Sequence, residues 1–271
     1  MQALKLAISG AAGRMGREII YRVFNNEDFS LVFALENVGN PFLEKDAMSF
    51  FGETSDIPIV SNPSSLINSD VDVVIDFSVP SSTLALLQVC KEKKIPVVIG
   101  TTGFSALELE IIENHSKSIP IVFAPNMSPG VNRMYSLVKE ATKYFNDDYD
   151  IEIIEAHHKN KIDAPSGTAL KLGSIISNEL GKKSDDLFCF SRNNRSKPRT
   201  KGEIGFSVVR GGDIVGTHKV VFAGEGEVIE ITHNSNSRAG YARGALMAAK
   251  FLKNYKHGLF GMDRVLDGQV N

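Results

Sequence analysis

The sequence predicts an α/β protein in which a doubly wound parallel sheet is followed by a second, α+β domain with a mixed or antiparallel sheet. Two features support this prediction. Residues 4–123 alternate short apolar runs with stretches of helical periodicity, as repeated strand-helix-strand units do. Residues 203–233 instead contain three strand-like runs separated by short glycine-rich segments, which are typical of antiparallel sheets.

The first domain alternates predicted strands and helices. Its β-rich runs are followed by stretches in which apolar residues recur at the spacing of an amphipathic helix. The strands are predicted at residues 4–9, 31–35, 71–77, 96–99 and 119–123, and the helices at residues 15–23, 81–94 and 106–116. Because parallel strands need a crossover connection, usually a helix, this repetition predicts a parallel sheet.

A glycine-rich turn lies between the first strand and the first helix. It reads Gly10-Ala-Ala-Gly-Arg-Met-Gly16, a G-x-x-G-x-x-G variant of the dinucleotide fingerprint. Missing Cβ atoms let a pyrophosphate approach the helix N-terminus, although such glycines also occur in plain helix-strand packing. The second strand ends at Glu36, where a carboxylate can accept hydrogen bonds from ribose hydroxyls. We therefore predict a Rossmann-like domain that binds NADH, NADPH or both.

Three later strands of this domain end in small or polar residues, at 76–78, 100–103 and 124–127. Ligands of open α/β sheets bind beyond the carboxyl ends of the strands, so we expect these segments to line the nicotinamide side of the site. Ordinary turn chemistry explains any one of them equally well. Their common position at strand ends favours the binding site.

The second domain begins after Ser128-Pro-Gly130. A helix at 131–145 and a strand at 149–154 are followed by a further helix from 168, by the strands 203–210, 214–222 and 228–233, and by a final helix at 240–254. The short glycine turns between the three later strands predict antiparallel pairing of neighbours in sequence. The final helix is expected to return to the first domain. The predicted domains are therefore residues 1–128, completed by 239–271, and residues 129–238.

The most informative segment connects a predicted strand to a predicted helix and reads Glu155-Ala-His-His-Lys-Asn-Lys-Ile-Asp-Ala-Pro-Ser-Gly-Thr168. An imidazole suits the proton transfer that accompanies hydride delivery, so His157 or His158 is a candidate acid. Lys161 and the backbone N–H groups at Gly167 and Thr168 form a candidate anion site. This anion site predicts an acidic substrate. Metal binding is less favoured, because adjacent histidines chelate one ion poorly and no third ligand has a suitable local spacing.

These segments together resemble the dihydrodipicolinate reductase family. The resemblance rests on residues 155–168 with 10–16, 100–104 and 124–128, and it extends almost end to end. It implies that NADH or NADPH gives a hydride to C4 of 4-hydroxy-tetrahydrodipicolinate, a cyclic dicarboxylate. Loss of the 4-hydroxyl group then gives tetrahydrodipicolinate, in diaminopimelate and lysine biosynthesis.

The resemblance also implies roles for individual residues. His157 would be the acid/base residue and Lys161 a proton donor, while His158, Gly167 and Thr168 would hold the substrate carboxylates. The implied cofactor contacts are Gly10, Ala11, Ala12, Gly13, Arg14, Met15, Glu36, Gly100, Thr101, Thr102, Ala124, Pro125, Asn126 and Met127. Residues 129–238 would bind the substrate and assemble a homotetramer through their sheet.

Charge and composition exclude several other classes. The 30 basic and 32 acidic residues give a net charge of -2, which offers no general attraction to nucleic acid or membrane phosphates. The two cysteines, Cys90 and Cys189, have no disulfide or zinc-site spacing. The chain starts with a strand-like run rather than a leader segment, which predicts a cytoplasmic protein. Residues 191–201 form a basic loop, which we interpret as a solvated loop rather than a substrate clamp.

Two other functions stay open. One is a regulatory protein that binds NAD(P) without turnover, and the other is a different two-domain dehydrogenase that acts on an amino or imino acid. The cofactor preference is a separate question. Some relatives place an arginine, which can meet the 2′-phosphate of NADPH, where this chain has Asn37. We therefore expect NADH to be used at least comparably with NADPH.

Overall fold

The computed structural model describes residues 2–145, 148–193 and 195–268. The chain forms two compact units. Unit 1 consists of Met1–Pro129 and Ala239–Asn271, and unit 2 consists of Gly130–Arg238. Within the described ranges, no helix is long and apolar enough to cross a membrane.

The strands are, in chain order, β1 (Leu4–Ser9), β2 (Phe29–Leu35), β3 (Ile59–Val60), β4 (Val73–Asp76), β5 (Val97–Ile99), β6 (Pro120–Phe123), β7 (Asp150–His157), β8 (Phe188–Cys189), β9 (Ile204–Arg210), β10 (Gly216–Gly224), β11 (Glu227–Ser235) and β12 (Gly258–Phe260). The helices are α1 (Arg14–Phe24), α2 (Pro80–Lys93), α3 (Ala106–Ser116), α4 (Pro129–Tyr144), α5 (Gly167–Glu179), α6 (Ser184–Leu187), α7 (Ala239–Leu252) and α8 (Met262–Asp267).

Unit 1 contains a seven-stranded sheet in the order β12-β6-β5-β4-β1-β2-β3, and its strand pairs are parallel. Leu6 and Ile8 pack on one face with the apolar side chains of α1 and α7, while Ala7 packs on the other face with those of α2. Both faces are therefore covered by helices, as parallel sheets require. The predicted doubly wound parallel sheet is confirmed.

Strand β12 adds an edge to this sheet that the sequence does not predict. Its residues pair in parallel with β6, from Gly258 opposite Pro120 to Phe260 opposite Val122. A run of three residues is too short to show the period of a strand. The pairing joins the end of the chain to unit 1.

Unit 2 contains a five-stranded sheet in the order β11-β10-β7-β9-β8. Strand β10 pairs antiparallel with β11 and with β7, whereas β9 pairs parallel with β7 and with β8. The predicted mixed sheet is confirmed, and so is the hairpin of β10 and β11. The predicted antiparallel pairing of β9 with β10 is wrong, because β7 lies between them.

The connection from β9 to β10 explains this difference. It crosses the end of β7 instead of forming a tight hairpin: Gly211 N donates to His157 O at 2.9 Å, and Lys159 N donates to Gly212 O at 3.2 Å. Gly211 and Gly212 thus lie in a connection that crosses over the neighbouring strand β7. A glycine-rich turn in the sequence does not reveal which of the two structures it forms.

One face of the sheet in unit 2 packs against α4 and α5. Its core contains Ile153, Val220 and Phe222 from the strands with Val138 and Leu172 from the helices. On β7 the buried residues alternate with half-buried or exposed ones from Ile151 to His157, so Glu155 and His157 lie on the helix-covered face.

The basic loop at 191–201 is tied to this sheet by ion pairs. Arg192 contacts Glu152 and Glu203, each at 2.6 Å, and Arg195 contacts Glu203 at 2.6 Å. These guanidinium groups are therefore engaged within unit 2, which the expectation of a solvated loop did not include. Asn194, which belongs to the same predicted loop, lies outside the described residues.

Candidate functional site

The glycine turn of unit 1 follows β1 and leads into α1, as predicted. Gly10 has a φ of +76°, and a Cβ added there would lie 2.2 Å from the carbonyl oxygen of Phe77. No other residue type fits this position, because it demands both a left-handed backbone and empty space. Gly13 is the N-cap of α1 and is exposed, as is Arg14. The first turn of α1 thus presents open backbone to a ligand, which suits a pyrophosphate.

Glu36 lies directly beside this turn. Its Oε2 accepts a hydrogen bond from Ala12 N at 2.9 Å, and its Oε1 accepts one from Asn37 N at 2.9 Å. The contact follows from the pairing of β1 with β2, since both strands end at the same edge of the sheet. A carboxylate at this position can accept hydrogen bonds from the ribose of a dinucleotide.

The ends of β4 and β5 are joined through a buried carboxylate. Asp76 is 0% exposed and accepts hydrogen bonds from three hydroxyl groups: Ser78 at 2.6 Å, Thr83 at 2.5 Å and Thr101 at 2.8 Å. Ser78 N in turn donates to Thr101 Oγ1 at 2.8 Å. The structure therefore brings the predicted segments at 76–78 and 100–103 together. Sequence reasoning missed Thr83, whose contribution comes from α2.

The third predicted segment, at the end of β6, lies beside these two. Ala124 N donates to Ile99 O at 3.2 Å, and Asn126 Oδ1 accepts from Ser128 N at 2.9 Å. Unit 1 thus places the glycine turn, Glu36 and all three strand ends along the carboxyl edge of one parallel sheet. This arrangement fits an extended dinucleotide.

His157 is the last residue of β7 and is buried. Its Nδ1 lies 2.6 Å from Glu155 Oε2. The other ring nitrogen faces Gly216, the first residue of β10, where an added Cβ would lie 3.1 Å from Nε2. The absence of a side chain at Gly216 leaves room for this nitrogen.

Glu155 is the centre of a buried polar cluster. The side chain is 1% exposed, and its two oxygens accept hydrogen bonds from His157, from Ser166 N at 3.0 Å and from both terminal nitrogens of Arg210 at 2.8 and 2.7 Å. Burial alone would raise the pKa of the Glu155 carboxyl, but the bonds from Arg210, His157 and Ser166 together lower it below its usual range. Glu155 is therefore ionised at neutral pH.

The surroundings of His157 favour its neutral form. Burial lowers its pKa from 6.5, the contact with Glu155 opposes that effect, and the charges of Lys161 and Arg210 lower the pKa further. His218 on β10 lies close by, with 5.1 Å between the two ring centroids. Burial lowers the pKa of His218 to about 4, and its Nε2 lies 3.0 Å from Ser166 Oγ.

The remaining predicted residues of the cluster lie in the loop between β7 and α5 or at the start of α5. Lys161 Nζ pairs with Asp163 Oδ1 at 2.9 Å, and Lys161 N donates to His158 O at 3.1 Å, which closes a turn. Gly167 and Thr168 are the first two residues of α5. Ser166 caps this helix, because its Oγ accepts from Ala169 N at 3.3 Å.

The structure thus brings His157, the loop of Lys161 and the N-terminus of α5 around one cluster, as the motif predicts. Sequence reasoning assigned no role in this cluster to three contributors: Ser166, which lies within the motif, and Arg210 and His218, which lie outside it. Only strand order and register place Arg210 and His218 beside Glu155, and no local pattern gives either. In the part of the chain that the structure describes, no group of three or more His, Cys, Asp or Glu side chains could hold a metal ion.

Two family models match the chain, and together they cover most of both units. One, described as dihydrodipicolinate reductase, N-terminus, matches residues 4–127, and the other, described as dihydrodipicolinate reductase, C-terminus, matches residues 130–266. Curated relatives agree. A protein of Polynucleobacter necessarius named 4-hydroxy-tetrahydrodipicolinate reductase is 48% identical over 97% of this chain and 98% of its own. Its namesake in Nitrosospira multiformis is 47% identical over 98% of both chains.

Solved structures show the same architecture. A dipicolinate-bound dihydrodipicolinate reductase from Paenisporosarcina sp. TG-14 superposes with a TM-score of 0.73 at 26% identity, over 96% of this chain and 97% of that one. An amine dehydrogenase from Mycobacterium smegmatis superposes with a TM-score of 0.63 at 9% identity, over 96% and 95% of the two chains. The second likeness concerns the fold alone.

Proposed function

Because the chain belongs to the dihydrodipicolinate reductase family, we propose that His157 and Lys161 act on a cyclic dicarboxylate bound at the start of α5. The chain is an NAD(P)H-dependent oxidoreductase that reduces 4-hydroxy-tetrahydrodipicolinate to tetrahydrodipicolinate in diaminopimelate and lysine biosynthesis. The observation that carries the residue assignment is the buried contact of Glu155 with His157 beside the N-terminus of α5.

The residues of unit 1 fit the cofactor. Residues 10–15 would contact the cofactor, and Glu36 would accept the ribose hydroxyls. The backbone N–H groups of residues 10–13 donate to Leu35, Glu36 and Gly10, so those of Arg14 and Met15, in the first turn of α1, would hold the pyrophosphate. The segments 100–102 and 124–127 would contact the nicotinamide end. When bound, the reduced nicotinamide supplies the hydride that the reaction consumes.

The start of α5 supports a carboxylate site. Its first backbone N–H groups, at Gly167 and Thr168, carry partial positive charge and favour an anion. His158 and Lys161 add a half-buried imidazole and an ammonium group. The present partner of Lys161, Asp163, has a side chain that is 58% exposed, so this ion pair is weak and a substrate carboxylate can replace it.

Proton supply completes the reaction. Reduction at C4 with loss of the hydroxyl group as water consumes one proton besides the hydride. A dianionic substrate raises the pKa of the neighbouring His157, so that on binding the neutral imidazole takes up a proton from solvent and becomes an acid that can give it to the substrate. Lys161, facing the same ligand, would be a proton donor, while His157, as the acid/base residue, would both take up and give up a proton, so that one proton is consumed overall.

The sheet of unit 2 supports assembly into a homotetramer. Its face opposite α4 and α5 carries apolar side chains, with Ile154, Val209 and Val228 exposed to 37%, 49% and 58%. Apolar groups clustered on a sheet face are typical of interfaces between subunits. Light scattering should give the mass of four chains.

Both cysteines are free and buried, which supports a reducing, cytoplasmic compartment.

One assay tests the proposed activity. The unstable substrate is generated in situ by the synthase of the preceding step, and the loss of absorbance of NADH or NADPH is followed in separate reactions. We expect turnover by the wild type and a strong impairment in His157→Gln. Binding of NAD(P)H without turnover would indicate a regulatory protein, and turnover of an amino or imino acid alone would indicate a different dehydrogenase.

A further inference from the structure

The hydrogen bonds of Glu155 use the full acceptor capacity of a carboxylate. An ionised carboxylate has about four acceptor sites. Oε2 accepts from His157 Nδ1 and from Arg210, while Oε1 accepts from the second terminal nitrogen of Arg210 and from Ser166 N. Each of these partners must therefore be a donor, including the ring nitrogen of His157.

This requirement decides the tautomer of the imidazole. A neutral histidine has one N–H group and one bare nitrogen. With Nδ1 donating to Glu155, the bare nitrogen is Nε2, on the side where Gly216 leaves space. Proton exchange at His157 then occurs at Nε2, and Nδ1 keeps its proton throughout.

Arg210 holds the carboxylate in this position. Its two terminal nitrogens form a bidentate pair with Glu155, and Arg210 Nη2 also donates to the carbonyl oxygen of Asp163 at 2.6 Å. A bidentate pair fixes the plane of a carboxylate as well as its place. The plane of the Glu155 carboxylate in turn sets the orientation of the ring of His157.

Glu155 also links the imidazole to the start of α5. Its Oε1 accepts from Ser166 N, one residue before Gly167. The charged and titratable groups that surround His157 come from four elements. They are Glu155 on β7, Arg210 on β9, His218 on β10 and Lys161 in the loop, and Glu155 is the one anion among these four.

We propose that Glu155 is a positioning residue, held by Arg210, that fixes His157 in the Nδ1–H tautomer and makes Nε2 the nitrogen that exchanges the proton with the substrate. The inference rests on the proposed role of His157 and adds the atom through which it acts. Glu155 itself does not contact the substrate. Its contribution is to orient the ring and to stabilise the imidazolium form.

The first test reads the tautomer in the wild-type protein. Nitrogen-15 NMR of the histidine side chains, recorded above the pKa of His157 and assigned with His157→Gln, distinguishes a protonated from a bare ring nitrogen. We expect a protonated Nδ1 and a bare Nε2. A protonated Nε2 with a bare Nδ1 would overturn the proposal, and this measurement does not depend on activity.

The second test uses Glu155→Gln. An amide has one acceptor oxygen and two donor hydrogens, so it cannot accept from all four partners. We expect kcat to fall roughly 10- to 100-fold with little change in KM for NADH. In the wild type, kcat should fall as the pH rises and His157 loses its proton. In Glu155→Gln this fall should occur at a lower pH, because the anion that stabilises protonated His157 is gone. An unchanged pH profile would contradict the proposal.

Glu203→Gln is the matched control. Glu203 is another buried carboxylate of unit 2 with arginine partners, Arg192 and Arg195, but it lies outside the His157 cluster. We expect the pH profile of kcat to stay where the wild type has it. An equal shift of the pH profile in both variants would show that the effect of Glu155→Gln comes from general destabilisation, and it would overturn the proposal.

The two levels of the account can fail separately. If His157→Gln keeps the wild-type kcat, the proposed role of His157 is wrong, whatever the tautomer. If His157→Gln is inactive and Glu155→Gln has the wild-type kcat and pH profile, only the positioning role fails. Should Glu155→Gln not fold, the NMR reading of the wild-type protein still decides between the two tautomers.

Discussion

Glu36 Oε2 accepts a hydrogen bond from Ala12 N at 2.9 Å, so the end of β2 and the glycine turn form one continuous surface. The next residue, Asn37, takes part in a different contact: its Oδ1 accepts from Ser82 Oγ at 2.8 Å. The position that follows the proposed ribose-binding carboxylate therefore carries a neutral amide. Asn37 has no guanidinium group that could bind the 2′-phosphate of NADPH.

From this geometry we predict that kcat/KM for NADH is at least comparable with that for NADPH. Asn37→Arg should shift the ratio toward NADPH roughly 10-fold or more, because a charge-assisted hydrogen bond to a phosphate contributes about 1.5–3 kcal/mol. Val38→Arg, which adds the same charge at an exposed neighbouring position, is the control. A wild-type ratio that strongly favours NADPH would refute this prediction.

Removal of the candidate acid should lower kcat and leave cofactor binding unchanged. We predict that His157→Gln lowers kcat about 100-fold or more, since a positioned general acid contributes roughly 10²–10⁴-fold. The dissociation constant of NADH, measured by fluorescence titration, should stay close to the wild-type value. His115→Gln, on α3 of unit 1, controls for the loss of an imidazole. Weakened NADH binding by His157→Gln would indicate a structural role instead.

The start of α5 should determine affinity for the substrate. We predict that Thr168→Val raises KM for the dicarboxylate about 10-fold, because the side-chain hydroxyl, which would donate to the carboxylate beside the backbone N–H groups, is lost while the volume of the side chain is kept. KM for NADH should change little. Ser174→Ala removes a hydroxyl further along the same helix, where Ser174 Oγ donates to Leu170 O at 3.0 Å, and should leave both constants near wild type. Equal KM values in wild type and Thr168→Val would contradict a role for the Thr168 hydroxyl and would leave only backbone N–H groups of α5 to hold the carboxylate.

Glu203 should make stability depend on pH. Burial would raise the pKa of its carboxyl, but hydrogen bonds from Arg195, Cys189 and Arg192 lower it from 4.5 to about 2. A lowered folded-state pKa stabilises the protein above pH 4.5, and this contribution is lost as the pH falls from 4.5 toward 2.

Glu203→Gln should therefore lower the free energy of unfolding by about 1 kcal/mol at pH 7 and by progressively less below about pH 4.5. Urea denaturation at neutral pH and at two lower pH values, about 5 and about 3, measures this difference. Glu140→Gln, which removes an exposed partner of Lys143 on α4, should be close to wild type at each pH. A difference between Glu203→Gln and wild type that stays constant over the whole range would show that the ion pairs are not its cause.

The parts of the fold that follow from local patterns can be predicted from the sequence. The glycine turn, Glu36 and the polar ends of β4, β5 and β6 are recognisable because each pattern lies within a few consecutive residues. The order of strands in unit 2 cannot be predicted in this way, because β9 is placed beside β7 by the packing of Ile204 and Phe206 in the core. Such packing involves residues far apart in the chain.

The same limit applies to the site. His157, Lys161 and Gly167 belong to one contiguous motif, and their chemistry indicates an acid beside an anion site. Arg210 lies 55 positions after Glu155, and their contact depends on the parallel register of β7 with β9. A one-residue change of register would turn Arg210 to the other face of the sheet. The partner of the buried carboxylate is therefore a property of the tertiary structure.

The central claim is that His157 and Lys161 face the substrate. A crystal structure of the protein with the cofactor and dipicolinate, a stable cyclic dicarboxylate, tests it most directly. The measured quantities are the distances from His157 Nε2 and Lys161 Nζ to the nearest ligand atoms. We predict that both are within hydrogen-bonding distance, about 3.5 Å or less. A bound dicarboxylate from which both side chains point away would contradict the account.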